Sequence, residues 1–174
     1  YMVLSYTELW SNLARFDGVR FGRRTEQEVK SLEELYYKSR SEGFNENVKK
    51  RILLGYFLSS SENYEKYFIK SQKIRRKLSN EFAEAFKNID VILTPSTVGV
   101  AFPIKQTEEE ISKNKDSNAL NDFFVCPANM VGLPAISVPF AMSKTGLPIG
   151  MHIIGNYFDE QSIFNFGLFF EENK

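Results

Sequence analysis

The chain has 174 residues, 43% of them hydrophobic and 14% aromatic, which suits one globular domain with a substantial core. Lys+Arg and Asp+Glu balance at 22 each, so the formal net charge is zero and composition gives no push towards a nucleic acid or a charged membrane surface. A single cysteine, Cys126, excludes an internal disulfide and fits a reducing compartment; a single histidine, His152, argues against a His-rich metal site or a Ser-His-Asp triad; no apolar run is long enough to span a bilayer.

In chain order, YMVLSY (residues 1–6) is apolar and β-prone and reads as a strand. It starts at Tyr1 rather than Met, an abrupt opening that points to a missing N-terminal part. Thr7 then caps a short helix, TELWSNLARF, with Leu9, Leu13 and Phe16 on one face. DGVRFGRRT is a loop punctuated by Gly18 and Gly22. Ser31 with Glu34 forms a capping box for the next helix, which Gly43 closes, and Asn45 opens another. The third long helix carries Tyr64, Tyr67, Phe68, Ser71, Ile74, Leu78, Phe82 and Phe86 at helical spacing.

From Val91 the pattern changes. VILTP is a short buried strand ended by proline. Residues 96–117 are loop-rich, and KQTEEEISKNKDS within them is charged and expected to be exposed. NALNDFFVCPANMVG reads as a helix interrupted at Pro127. AISVPF is expected to be the best core strand, paired as a hairpin with PIGMHIIG through the TGLP turn. A last helix, DEQSIFNFGLFFEEN, turns Ile163, Phe166, Phe169 and Phe170 inward. Mixed strands and helices without an internal boundary point to a single α/β domain, or the latter part of one.

Most chemistry-bearing side chains have a plain structural reading. The basic run Lys73-Ile74-Arg75-Arg76-Lys77 is read as a solvated helix face ahead of an RNA contact. Cys126 is read as a small buried hydrophobe, His152 as a surface or edge residue, and Met130, Met142 and Met151 as gap fillers. Arg51 and Asp122 are harder to dismiss. Arg51 stands where the helix turns from VKKR to apolar ILLG, and Asp122 leads into an apolar run where a lone carboxylate is costly unless paired. By residue type alone, snorkelling by Arg51 and helix capping by Asp122 stand slightly ahead of ligand binding.

Five blocks shift that balance: SNLARFDGVRFG, SRSEGFNENVKKRILLG, YFIKSQKIRRKL, DVILTPST and NDFFVCPANMVGLPAISVP, followed by GLPIGMHIIGNYFDE. In this order they resemble the amidase signature family, and within it the A subunits of glutamyl-tRNA(Gln) amidotransferases. The resemblance covers nearly the whole chain except the loop at 98–117. It implies the C-terminal part of the amidase signature fold, a mixed β-sheet core covered by helices, with residues 1–174 forming the latter portion of a single amidase domain. It also implies a glutaminase that releases ammonia for amidation of Glu-tRNA(Gln).

The family's Ser–cis-Ser–Lys triad sits in a Gly/Ser-rich signature that this sequence does not contain, so no catalytic residue is assigned here. The substrate-binding residues implied are Arg51 for the α-carboxylate of glutamine, Asp122 for its α-ammonium, and Tyr1 near that pocket. The GLPAISVP segment is then a support for the site, its Gly and Pro fixing the turn after the PAN helix. Partners implied are a B subunit, a small C-type or equivalent subunit, and tRNA through the complex. No cofactor or metal is expected in this chain, ATP and magnesium belonging to the B subunit. The GFNENVKKRIL and ENYEKYFIKSQKIRRKL blocks resemble mitochondrial forms and favour the mitochondrial matrix over bacterial cytoplasm or plastid, and the Lys/Asn-rich text suggests an AT-rich genome. An independent small-amide amidase and a catalytically empty assembly module are the competing readings. Trp10, in ELWSNLAR where the family has EASSNLAR, and His152, where it often has Gln, depart from the pattern.

Overall fold

The computed structural model describes residues 1–101 and 122–173. The KQTEEEISKNKDS segment lies outside the described residues, as does the start of NALNDFFVCPANMVG. Packing divides the chain into two compact units, Tyr1–Ile74 and Arg75–Lys174. Among the described residues no helix is long and apolar enough to cross a membrane.

The first unit is helical. Helix α1 spans Met2–Leu13, so the strand expected at YMVLSY is instead the first turns of a helix. Its residues are β-prone in isolation, but packing against a neighbouring helix overrides that preference. Thr7 falls mid-helix rather than at a cap, and its hydroxyl is buried without a partner among the described residues. The helix also stops short of Phe16, leaving that ring in the loop beyond.

Helix α2 spans Leu32–Gly43 and starts as the sequence dictates: the Ser31 hydroxyl accepts the Glu34 N–H at 3.1 Å. Glu34 reaches back one residue further than in the usual box, accepting the Lys30 N–H at 2.7 Å. That bond, and then Lys38, hold the Glu34 carboxyl below its ordinary range. Helix α3 spans Glu46–Ser59, with the Asn45 side chain accepting the Val48 N–H at 3.0 Å.

Buried Ser39 on α2 pins the intervening loop. Its hydroxyl accepts the Thr25 N–H at 3.1 Å, and the Thr25 hydroxyl donates to Glu42 at 2.8 Å. Arg40 donates to the carbonyls of Leu13 and Phe16, satisfying the end of α1. Gly18 passes Ser39 at φ 81°, and a Cβ there would lie 2.6 Å from the Ser39 hydroxyl.

After α3 come a single turn, α4 (Ser61–Asn63), a π-helical stretch at Tyr64–Ile69, and helix α5 (Lys70–Ala85). The π turn breaks the even spacing read from the sequence. Leu78 and Phe82 pack against buried Phe86 as expected, whereas Ile74 is exposed where the first unit ends.

The second unit is built on an antiparallel sheet of β1 (Val91–Pro95), β2 (Ala135–Met142) and β3 (Pro148–Gly155), in the order β1-β3-β2. The hairpin of β2 and β3 is as expected, with a register irregularity between Pro139 and Ala141. The core strand is β3, not AISVPF. Because β3 is hydrogen-bonded on both sides, its end from His152 to Gly155 is buried, while β1 and β2 are edges, half-buried or exposed apart from buried Val138, and tolerate proline.

Alternation along β3 serves two cores. Ile154 joins Phe86, Ala128, Val131 and Leu133 on one side; Ile153 joins Val138 and Ile163 on the other. Ile153 is 0% exposed, and Ile153→Ala is expected to lower unfolding free energy by about 3 kcal/mol in chemical denaturation.

Helix α7 (Glu160–Glu172), capped by the Asp159 carboxylate at the Ser162 N–H, covers this second core. Its inward stripe is Ile163, Phe166, Gly167 and Phe170, the 3–4 spacing of a helix face; Phe169, expected inward, is exposed. Gly167 belongs to the stripe because a side chain there would meet Ile136 at 2.8 Å. Met151 packs in the core as expected, but Met142 is exposed near the end of β2.

His152 is buried in the central strand rather than at a surface or edge. Its neighbours across the sheet are Thr94 and Ser137, and its Nδ1 lies 3.3 Å from the Thr94 hydroxyl. Burial holds its pKa below the ordinary imidazole value. The unfolded chain therefore binds the proton more readily, and stability falls as pH drops below about 6.5. Replacing His152 with Gln is expected to flatten the decline in melting temperature between about pH 7 and pH 5; an unchanged slope would place that decline on other groups.

Candidate functional site

The residues singled out from the sequence fall in both units, and each is described within its own. Arg51 sits near the middle of α3, where the chain turns from polar to apolar. Its side chain is exposed and, among the described residues, makes no ion pair with a carboxylate. The guanidinium carbon lies over the Tyr6 ring, 5.8 Å from its centroid, inside the range of a cation–π contact.

The approach of α1 to α3 places that ring. Gly55, one turn beyond Arg51, meets the backbone of α1 so closely that a Cβ would lie 2.8 Å from the Tyr6 carbonyl carbon and closer still to its oxygen. Trp10, one turn beyond Tyr6, passes beside the same glycine and packs edge-on against Tyr56 at 5.9 Å. The unusual Trp10 is therefore a packing residue of the α1–α3 contact.

Tyr1 stands at the start of α1 as its N-cap, 51% exposed, with its carbonyl accepting the Ser5 N–H. The aromatic ring that meets Arg51 is that of Tyr6. Sequence reasoning missed Tyr6 because it lay inside the stretch read as a strand. Read as a helix, Tyr6 and Trp10 fall four residues apart on one face, which is the signal that identifies them.

In the second unit Asp122 opens a turn leading into helix α6 (Cys126–Val131). Its backbone carbonyl accepts the Val125 and Cys126 N–H groups at 3.2 and 2.9 Å. Val125, not Asp122, is the N-cap, and no side chain caps the helix, so the capping role is not what the carboxylate does. It is exposed and free of ion pairs among the described residues.

Pro127 lies in the first turn of α6, where its missing N–H costs nothing, so it starts the helix instead of interrupting it. Gly132 ends it at φ 83° and directs Leu133 and Pro134 into β2. Burial, and then the Asp122 carboxylate, push the half-buried Cys126 thiol above its ordinary pKa, which disfavours the nucleophilic thiolate. A cleft of about 340 Å³ opens beside this turn, with Asn129, Gly132, Pro134, Tyr157 and Phe158 among its walls. The Tyr157 hydroxyl donates to the Val131 carbonyl at 3.1 Å and ties the rim to α6.

The arrangement offers two kinds of recognition: a guanidinium fork for a carboxylate on α3, and a solvent-facing carboxylate for a cation before α6. The hydroxyls of Ser59 and Ser60, at the end of α3, donate to the helix carbonyls of Gly55 and Phe57.

The chain is 44% identical over 173 residues to the glutamyl-tRNA(Gln) amidotransferase A subunit of Pelagibacter ubique (strain HTCC1062), covering 99% of this chain and 34% of that protein. It is likewise 44% identical over 173 residues to the mitochondrial A subunit of Rattus norvegicus, covering 99% of this chain and 33% of that protein. Its fold matches the crystal structure of the Thermotoga maritima A subunit with a TM-score of 0.52 at 31% identity, over 94% of this chain and 36% of that one. The chain thus spans about a third of the length of the relatives it matches. The sequence pattern of the Amidase family matches residues 1–164, and the chain belongs to that family.

Proposed function

We propose that this chain is the C-terminal portion of the glutamine-hydrolysing A subunit of a glutamyl-tRNA(Gln) amidotransferase. The observation that carries the reading is 44% identity across 99% of the chain to the A subunits of both a bacterium and a mammalian mitochondrion. In this reading the rest of the protein supplies the Ser–cis-Ser–Lys triad that cleaves the side-chain amide. This portion supplies recognition: the Arg51 fork takes the α-carboxylate of glutamine, Asp122 takes the α-ammonium, and Tyr1 borders the pocket. An amide lacking either charge would leave its partner group unsatisfied, which gives selectivity for a free amino acid.

The ammonia released would pass to a B subunit, which uses ATP and magnesium to amidate Glu-tRNA(Gln). A small C-type or equivalent subunit would stabilise the pair, and tRNA would be engaged through the complex. The mitochondrial matrix is the proposed location.

The test is ammonia release by the full-length protein purified with its partner subunits. The reading expects hydrolysis of glutamine strongly preferred over simple amides of the same leaving group. Equal turnover of both would replace it with an independent small-amide amidase. Stable partner binding with no ammonia release would replace it with an assembly module.

A further inference from the structure

We propose that Tyr6 is a positioning residue for the Arg51 fork, and that Gly55 and Trp10 hold it in place. The proposal rests on the reading of Arg51 as the carboxylate-binding group and goes beyond it.

An exposed arginine samples many rotamers, and a fork that must present two parallel N–H groups to a carboxylate loses entropy when it settles. A surface beneath the guanidinium removes part of that cost before the ligand arrives. The Tyr6 ring supplies such a surface at 5.8 Å. Its negative face attracts the cation without supplying a hydrogen-bond acceptor, and among the described residues no carboxylate pairs with the guanidinium, so its N–H groups are left to a ligand. A carboxylate from the protein in the same place would have occupied those groups; an aromatic ring does not.

The ring's position is set by backbone, not by side-chain chance. Arg51 and Gly55 are four residues apart on α3 and share a face. Gly55 brings the Tyr6 carbonyl to where any side chain would clash. Trp10, four residues beyond Tyr6, packs beside Gly55 and against Tyr56, fixing the rotation of α1 about its own axis. The ring is thus anchored on both sides of the contact that brings it under Arg51.

The experiment is steady-state hydrolysis of glutamine by the full-length protein with its partners. Tyr6→Leu is expected to raise KM for glutamine by about two- to five-fold with kcat unchanged. Tyr6→Phe, which keeps the ring face, is expected to behave as the wild type. A fluorinated phenylalanine at position 6 preserves size and packing while weakening the ring face, and is expected to raise KM as Leu does. Added to Arg51→Ala, the Leu change is expected to cause no further loss. The proposal is overturned if the fluorinated ring leaves KM unchanged, or if Phe loses as much as Leu. Failure of the underlying reading has a different signature: Arg51→Ala itself would leave KM for glutamine unaltered.

Discussion

Arg51→Ala in the full-length protein is expected to lower kcat/KM for glutamine by about a hundredfold, while hydrolysis of a simple amide without an α-carboxylate changes little. The size follows from the chemistry of the fork. Two parallel, charge-assisted hydrogen bonds to one carboxylate are lost together, and the ligand's charge is left without a partner. Arg51→Lys restores the charge but not the planar pair of donors, so only a partial recovery is expected. The simple amide is the internal control. Equal losses on both substrates would mean that Arg51 supports the fold rather than the ligand, which would return it to the snorkelling role its residue type first suggests.

The second large effect is structural and lies one turn away. Gly55→Ala would place a Cβ 2.7 Å from the Trp10 Cβ and 2.8 Å from the Tyr6 carbonyl carbon. Neither neighbour is the far end of a flexible side chain, so the helices must separate. Overpacking of this kind costs about 3 kcal/mol, and the better helix propensity of alanine returns about 1 kcal/mol of it. The net loss corresponds to roughly thirtyfold faster hydrogen exchange for amides of α1 and α3, with those of β3 unaffected.

Gly132→Ala is the contrast. Its φ of 83° favours glycine, but among the described residues no atom beyond its immediate chain surroundings lies within 4 Å of the Cβ position. Only the backbone strain remains, about 1 kcal/mol. If the two substitutions proved equally mild, close helix contact would not be the reason for glycine at position 55.

Much of the local structure is legible in the residues alone. Ser31 and Asn45 mark helix starts because a side-chain oxygen satisfies an otherwise unpaired N–H, a purely local event. The hairpin of AISVPF and PIGMHIIG follows from two apolar runs joined by a short turn, again local. The blocks that mark the amidase resemblance are also readable directly, and the family match over residues 1–164 agrees with them.

Other features depend on the fold. YMVLSY is helical because α1 finds a glycine on α3 to pack against, a partner more than forty residues away that periodicity within six residues cannot register. His152 is buried because β3 is the middle strand, and strand order is a property of the sheet, not of any strand's own alternation. Gly167 replaces Phe169 in the stripe of α7 because Ile136 comes too close for a side chain.

The same division runs through the candidate site. By itself the sequence determined the family, the helix starts at Ser31 and Asn45, and the hairpin, since residue type and order suffice for these, while the caps read at Thr7 and Gly43 did not hold. Only the tertiary structure decided that Tyr6 lies beneath Arg51, because that contact depends on the closeness of two helices. Their separation is set by a missing side chain on one and a backbone carbonyl on the other.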